Sequence, residues 1–572
     1  MKNYTIYIVV LCSGLLLAGC GKDFLNKNPQ GALSEEQVLN SDGVEANLLG
    51  AYGILNGNVR GTWGNVGAAP SQWLFGEVPS DNAHKGSEPT DDPGMNLIEL
   101  LTPNPASTHL THMWQVYYEG VARCNRTLVL LRRDQEGENT ISAARAVEIQ
   151  AESRMLRAHY YFYLWRVFRN IPWIDENTAF DEAQTMPNNE DVYPRIVADA
   201  QFAVDNLPEA KINGEMGRMD RTTAKAYLGK LYLYQRNYGL ALPLFKEVIG
   251  GKDITSMPFQ NNFNVDTEDG PEVVMASKHA INPDGSGDNA NVGDMLTGIH
   301  GTSPVGCCGF HQPSIDLVNA YKVDANGLPY FNNAYRVDPY LSDFGITDTA
   351  AKRRYVVSDT LRVDPRLDYT VGRRGVPYLD YGVMPGDGWI RAVSWGGPFI
   401  GMKSMINQSQ FASNAVPGAP YITGLDVNII RLADVILMAA ECEVELGNLS
   451  GALAYVNAIR VRAATLPAKQ VDAVDVANYL VAPYPSFPDV NYARNAVRME
   501  RRLELAMEGH RFYDLVRWGI AKETIESYSA FEGRYLPAYN GIIFNTWNNY
   551  YPIPQIEIDR SGRTLIQNDG YN

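Results

Sequence analysis

The sequence predicts a mainly α chain, a scaffold of paired helices stacked as an α-α superhelix, with long irregular loop-rich insertions and a few short strands. Three observations predict it. Apolar residues recur at three- and four-residue steps over 114–131, 142–169 and 191–207. One pattern of small and aromatic residues occurs twice, in 222–249 and in 431–461. Before and between these, 57–108 and 251–425 are dense in Gly, Pro, Asn and Asp, the residues that make turns.

In chain order, Ser34 with Gln37 three residues on reads as a capping box and opens a helix predicted over 34–57. Helical periodicity returns at Trp114 after the irregular stretch. The helix predicted over 142–169 places Ile149, Met155, Leu156, Tyr160, Tyr163, Leu164 and Val167 on its apolar side. The helix over 191–207 is closed by Pro208. In 222–249, Leu228, Gly229, Tyr232, Ala241, Phe245 and Val248 have the spacing of a tetratricopeptide repeat. Gly229 lets the paired helices approach, Ala241 supplies the facing notch, and the aromatics fill the groove. The same offsets return at Ala440, Ala452, Val456 and Ile459. The two copies are far more than one repeat apart, so the segment between them must leave the scaffold and come back. Helices resume over 428–464 and 491–527, and the tail, 541–572, is irregular.

The 572 residues suffice for several domains or one large helical body. Net charge is −16, and the longest basic cluster is Lys352-Arg353-Arg354, which argues against nucleic acid as a partner. Six cysteines make no disulfide scaffold. Cys307 and Cys308, between Gly306 and Gly309, are either a vicinal ring or two loop thiols, and both readings stay open. At the start, Lys2 precedes an apolar run over 4–17, which reads as a secretory signal peptide. A spanning helix needs about 20 apolar residues, and the run is shorter. Leu17-Ala18-Gly19-Cys20 resembles the lipobox of bacterial lipoproteins. That resemblance implies removal of residues 1–19, acylation of Cys20 and a leash over 20–33. Each buried CH₂ contributes about 0.8 kcal/mol, so several acyl chains anchor firmly. Gly21, rather than Asp, resembles the signal for outer-membrane delivery in Gram-negative bacteria.

Further motifs accumulate along the chain. Asp23-Phe24-Leu25 and Pro29 follow the lipobox, and Ala51-Tyr52 ends the first helix. The next run is Glu152, then Met155-Leu156-Arg157-Ala158-His159-Tyr160-Tyr161-Phe162 and Leu164, followed by Ile171-Pro172. Asp364-Pro365-Arg366-Leu367 lies in the middle region. The densest match is Glu500-Arg501-Arg502, Glu504-Leu505, Glu508-Gly509-His510-Arg511, Asp514-Leu515 and Arg517-Trp518-Gly519. Tyr551-Pro552-Ile553-Pro554 and Gln567-Asn568-Asp569-Gly570-Tyr571 close the chain. Each is weak alone. Together they resemble the SusD/RagB family of outer-membrane nutrient-binding lipoproteins over essentially the whole length. Asn170 stands where that family usually has Gly, and Asp569 where it more often has Pro. The resemblance implies an N-terminal helical region with a ligand loop (34–250), a loop-rich insertion (251–425) and a C-terminal helical region with its tail (426–572). It also implies a lipid-anchored, surface-exposed protein that captures oligosaccharide or polysaccharide. The partner implied is a SusC-like TonB-dependent transporter, on which the protein would sit as a lid. Two other functions stay in view: a surface enzyme acting on glycans, and a binder of peptide or another nutrient in the same transporter system.

The charge-dense 500–518 stretch reads as scaffold, since Glu500 and Glu504 stand four apart with Arg501, Arg502 and Arg511 available to pair. No H-E-x-x-H, G-x-S-x-G or Walker loop occurs, and no enzyme activity, metal or cofactor is expected. Asp284-x-Ser286-x-Asp288 resembles the opening of a calcium loop, but without the Gly and Glu that complete one. His109 and His112 read as a surface pair. Sugar binding calls for aromatic faces with planar and charged polar groups around them. Three loops offer that mixture. The first holds Trp63, Asp81, Asn82 and His84, the second Phe310 and His311, and the third Trp389, Arg391 and Trp395. Trp73, before Leu74-Phe75, reads as core. For Trp63 and Trp389, flanked by Gly and polar residues, exposure and core placement both stay open. Asp81-Asn82 also fits a simple Asx turn.

Overall fold

The structure, a computed structural model, describes residues 35–59 and 66–571. The signal, the lipobox with Cys20, the leash, Ser34 and Trp63 lie outside the described residues. The helix predicted over 34–57 is divided. A short turn, Glu35–Val38, precedes α1, Ser41–Tyr52, and a 3₁₀ turn, Gly53–Asn56, follows. The break is at Asn40, which is extended and accepts a hydrogen bond from the Gly43 amide at 3.0 Å, starting a new helix.

The predicted helices are present as α2 (Thr108–Glu136), α3 (Ala143–Phe168) and α4 (Tyr193–Asn206). The first tetratricopeptide-like pair is α5 (Arg221–Tyr234) and α6 (Tyr238–Ile249), and the second is α7 (Leu432–Glu445) and α8 (Leu449–Ala463). The stretch predicted over 491–527 is three helices, α9 (Val490–Leu505), α10 (Arg511–Trp518) and α11 (Ala521–Glu532). Caps fix their starts. Ser142 accepts from the Arg145 amide at 3.3 Å and Asp220 from the Thr223 amide at 2.7 Å. Gly229 has the role its spacing implied. A methyl group there would stand 2.6 Å from the Phe245 ring, so only a glycine lets α6 lie this close to α5.

Each helix from α2 packs on the next through α8, and α9 packs on α7. The superhelix is therefore continuous in space across the break in sequence, because α6 lies against α7. The intervening segment leaves from α6 and returns at α7. Four strands matter for the site, one before this segment, β1 (Ala83–Gly86), and three between α6 and α7, β2 (Val273–Ser277), β3 (Phe310–Pro313) and β4 (Val427–Arg431). β2 and β4 pair antiparallel, Val273 opposite Arg431 and Ser277 opposite Val427, which fastens the two ends of the excursion together. The main apolar core runs from Val44 to Leu565 and so draws on both ends of the chain. A smaller core inside the excursion gathers Tyr378, Met384, Trp389, Met402 and Met405.

The 500–518 stretch is buried and paired. Glu504 meets Arg366 at 2.9 Å, Arg431 at 2.7 Å and Arg462. Glu500 meets Arg366 at 2.7 Å and Arg460 at 2.9 Å. Asp364 holds the same Arg366 at 2.7 Å, so the Asp364-Pro365-Arg366 motif joins the excursion to α9. Burial pushes a carboxyl pKa up, but Arg462, Arg431 and Arg366 outweigh it and hold Glu504 well below the usual range. The described cysteines divide into two buried thiols, Cys124 and Cys442, and a bonded pair, Cys307–Cys308. The vicinal ring is thus the form the structure adopts.

Candidate ligand-binding site

The three loops singled out in the sequence meet at one place. β1 and β3 pair antiparallel, His84 opposite Gln312 and Gly86 opposite Phe310, which joins the first loop to the second. Just beyond, the Ser87 amide donates to the Gly309 carbonyl at 2.5 Å. The second loop meets the third where the Thr302 amide donates to the Gly388 carbonyl at 2.9 Å. Gly301 has φ +73°, and a methyl group on it would stand 2.2 Å from that same carbonyl, so glycine is required there. The third loop returns to the first through Arg391, which donates to Asp91 at 2.7 Å and Glu88 at 2.9 Å. Gly396 closes the circuit by lying against Gln312 and Gly86.

Most of the predicted side chains face inward, which corrects the expectation that they present a ligand surface. Asp81 is buried and pairs with Arg511 at 2.7 Å and Arg502 at 3.1 Å. Asn82 is buried, donates to Glu77 at 2.7 Å and accepts from Arg502 at 2.8 Å, so neither residue is an Asx turn at the surface. His84 has no exposure and lies between Glu99, 3.0 Å from Nδ1, and Glu532, 2.9 Å from Nε2. Burial pulls its pKa down, but hydrogen bonds to Glu532 and Glu99 and their charges raise it to about 9, so the ring is an imidazolium. Phe310 is buried beneath the Lys85 ammonium, 5.1 Å from the ring centre, with Trp73 edge-on. His311 is buried against Trp73, and burial lowers its pKa to about 3, so it is neutral. Trp389 is only 5% exposed, because Tyr378 and Tyr381 pack edge-on against it. Polar neighbours in sequence concealed partners that come from elsewhere in the chain. Trp73 is core, as its neighbours implied.

Arg391 and Trp395 remain at the surface. Arg391 is exposed and Trp395 half-buried, its ring 5.6 Å from Tyr539, with an indole N–H that has no partner. The structure adds two residues of the second loop that were not among the predicted ligand contacts. His300 is half-buried and, with Arg391 and Ser87, surrounds Gly309. Partial burial and then the Arg391 charge lower its pKa, so it offers a neutral imidazole. Cys307 presents one sulfur of the ring, half-buried, on the same loop. The signal that pointed there was the run of Gly and Cys around it. Beneath β3 lies a cavity of about 50 Å³ lined by Asp294, His311 and Lys403 together with apolar Trp73, Phe263 and Met507. It is room for a few waters rather than a sugar. Among the described residues, no group of three His, Cys, Asp or Glu side chains is placed to hold a metal ion. Asp284 is exposed and accepts from the Ser286 amide at 2.9 Å, and His109 bonds to Asp92 at 2.8 Å.

The chemistry on offer at the junction of the loops is recognition. A guanidinium, an imidazole and an indole stand on a frame of backbone hydrogen bonds. Glu88 and Asp91 beside it are both engaged by Arg391. Comparison with known proteins bears on the whole chain. A family model described as the SusD family matches residues 271–571, and one described as starch-binding associating with outer membrane matches 74–233. SusD-like protein P2 of Formosa agariphila is 24% identical over 585 residues, covering 100% of both chains. A SusD-like protein of Bacteroides ovatus is 23% identical, covering 89% of this chain and 82% of its own. Among solved structures, a laminarin binding SusD-like protein superposes with a TM-score of 0.67 at 23% identity, covering 93% of this chain and all of its own. Surface glycan-binding protein A from Bacteroides thetaiotaomicron, in complex with laminarihexaose, gives 0.63 at 19% identity, covering 92% of this chain and 99% of its own. The structures share the fold, the first family model spans more than half of the sequence, and the protein belongs to the SusD family.

Proposed function

We propose that this protein binds glycan at the cell surface and delivers it to a SusC-like TonB-dependent transporter in the outer membrane, making and breaking no bond. The observation that carries the reading is the junction of the three loops, where Arg391, His300 and Trp395 are held around β1 and β3. An indole face covers the apolar side of a pyranose ring, while a guanidinium and an imidazole bond its hydroxyls. Structural neighbours named for laminarin binding or solved with laminarihexaose support glycan as the ligand class. The family description supports the outer membrane as the location. Anchoring through acylated Cys20 and the transporter partner are the finer parts of the proposal. Glycan cleavage is disfavoured at this site because it takes two carboxyl groups free to exchange protons or attack carbon, and Glu88 and Asp91 are tied to Arg391.

The test is calorimetry of the purified protein against laminarin, starch and other polysaccharides. At least one should bind, and Arg391→Ala and Trp395→Ala should each weaken that binding about tenfold, the loss of one good charged hydrogen bond or stacking contact. Phe180→Ala, at an exposed position on another part of the surface, should not. Full affinity in both loop variants sinks the site. New reducing ends after incubation with the bound glycan sink the non-catalytic reading.

A further inference from the structure

A second site lies on the scaffold, where none of the three loops contributes a residue. A cleft of about 160 Å³ opens between the α5–α6 turn, α7, α9 and α10. Four arginines line it, Arg236, Arg494, Arg498 and Arg517, against two glutamates, Glu441 and Glu445. Two of the arginines are satisfied by the fold. Arg517 grips Glu441 with two nitrogens, at 2.5 and 2.8 Å, and Arg494 grips Glu445 at 2.7 and 3.0 Å. The other two have no carboxylate. Arg236 is exposed and donates only to the Arg517 carbonyl at 3.1 Å. Arg498 is half-buried, and its one contact of note is with the Trp518 ring, 5.0 Å from its centre. Arg517 stands 4.9 Å from the same ring, so Trp518 is flanked by two guanidinium groups. Its indole N–H is buried without a partner.

A chain of net charge −16 thus lines one aromatic-walled cleft with four arginines against two glutamates, and neither Arg236 nor Arg498 is ion-paired with a glutamate there. Glu441 and Glu445 act on Arg498 only through space, and holding a guanidinium half out of water without a bonded carboxylate costs stability. The geometry points to a docking site for a carboxylate of an acidic peptide segment belonging to a partner protein. A carboxylate matches the paired N–H groups of a guanidinium. One negative charge also fits the cleft better than two, since Glu441 and Glu445 already line it and would repel a phosphate dianion. The position supports a polypeptide partner, because the cleft spans the α5–α6 turn, the end of α7, α9 and the end of α10, a surface across several helices of the kind repeat scaffolds use to bind chains.

The test uses the full protein and a fluorescent peptide of alternating glutamate and leucine, followed by anisotropy at low salt. The acidic peptide should bind, and its glutamine counterpart should not. Arg498→Gln and Arg236→Gln should each weaken binding about tenfold, the loss of one charged hydrogen bond. Arg498→Lys should recover part of it. Arg236 is exposed, so its variant reports even where Arg498→Gln disturbs the fold. The proposal is overturned by equal binding of the glutamine peptide, by unchanged affinity in both variants, or by displacement of the peptide with inorganic phosphate or polygalacturonate.

Discussion

His84 shows how much a single buried residue contributes to the frame of the site. Both of its ring nitrogens face carboxylates, so it must be doubly protonated to donate to each. Glu532 also accepts the Ile315 and Asp316 amides, which ties the first loop to the strand-to-helix turn after β3. The folded pKa of about 9 lies above the ordinary 6.5. Its contribution to stability is therefore complete below pH 6.5 and is lost as pH rises through about 9. His84→Gln should destabilise by about 3–5 kcal/mol at pH 6, the cost of leaving buried charges unpaired. In urea unfolding, the gap between the protein and this variant should narrow between pH 6 and pH 10. A gap that stays constant would refute the imidazolium. At this scale the sequence was least legible. It pointed to the right loops and mostly to the wrong atoms. Trp389 sits among Gly and polar residues yet is enclosed by Tyr378 and Tyr381, and Asp81 is claimed by Arg502 and Arg511 from the far end of the chain. Which side chain faces water is decided by tertiary partners, from the far end of the chain for Asp81 and from the preceding part of the same loop for Trp389, and the immediate neighbours do not carry that.

Helices are another matter. Their periodicity, caps and small residues are local, so α2 through α9 were legible, α3 to α6 nearly to their ends, although α2 runs about a turn beyond the predicted stretch on each side and the end of α9 was not placed. The capping oxygen of Asn40 divided the first helix, and the glycines at 509 and 519, with φ of +74° and +73°, divided the last stretch. α9 shows what the charged motif is for. Glu500 and Glu504 face Arg366 from the excursion and Arg460 and Arg462 from α8, so one helix turn binds three parts of the chain. Glu504→Gln keeps the shape and removes the charge. Equilibrium unfolding should show a loss of about 3–5 kcal/mol, as for a broken buried network. A loss under about 1 kcal/mol, typical of an exposed pair, would show that this network carries no more weight than a surface one.

For the molecule as a whole, the motifs at both ends and the two helix pairs made the architecture readable, because a superhelix repeats its own rules. That α6 lies against α7 was not readable beyond the requirement that the excursion return. Closure depends on the β2–β4 pairing, a contact between strands remote in sequence. Anchoring is the property of the whole chain that remains to be measured. Cys20→Ser should move the protein from the membrane fraction to the soluble fraction, and mass spectrometry of the N-terminal peptide should show acyl chains only with Cys20. Membrane retention of the serine variant would refute lipidation there.

The excursion carries the second and third candidate ligand loops, and its neighbouring endpoints give it the form of a cartridge whose exchange between relatives would test whether those loops set ligand preference. The buried ion network sets a condition on such a graft. Arg366 travels with the cartridge, while Glu500 and Glu504 stay behind on α9. A donor segment lacking an arginine at that place would leave Glu500 with Arg460 alone and Glu504 with Arg431 and Arg462, a buried network one cation short. A successful chimera must therefore preserve the Asp364-Arg366 clasp while changing the loops around it, and the same rule limits how freely this binding surface can diversify without loss of the fold.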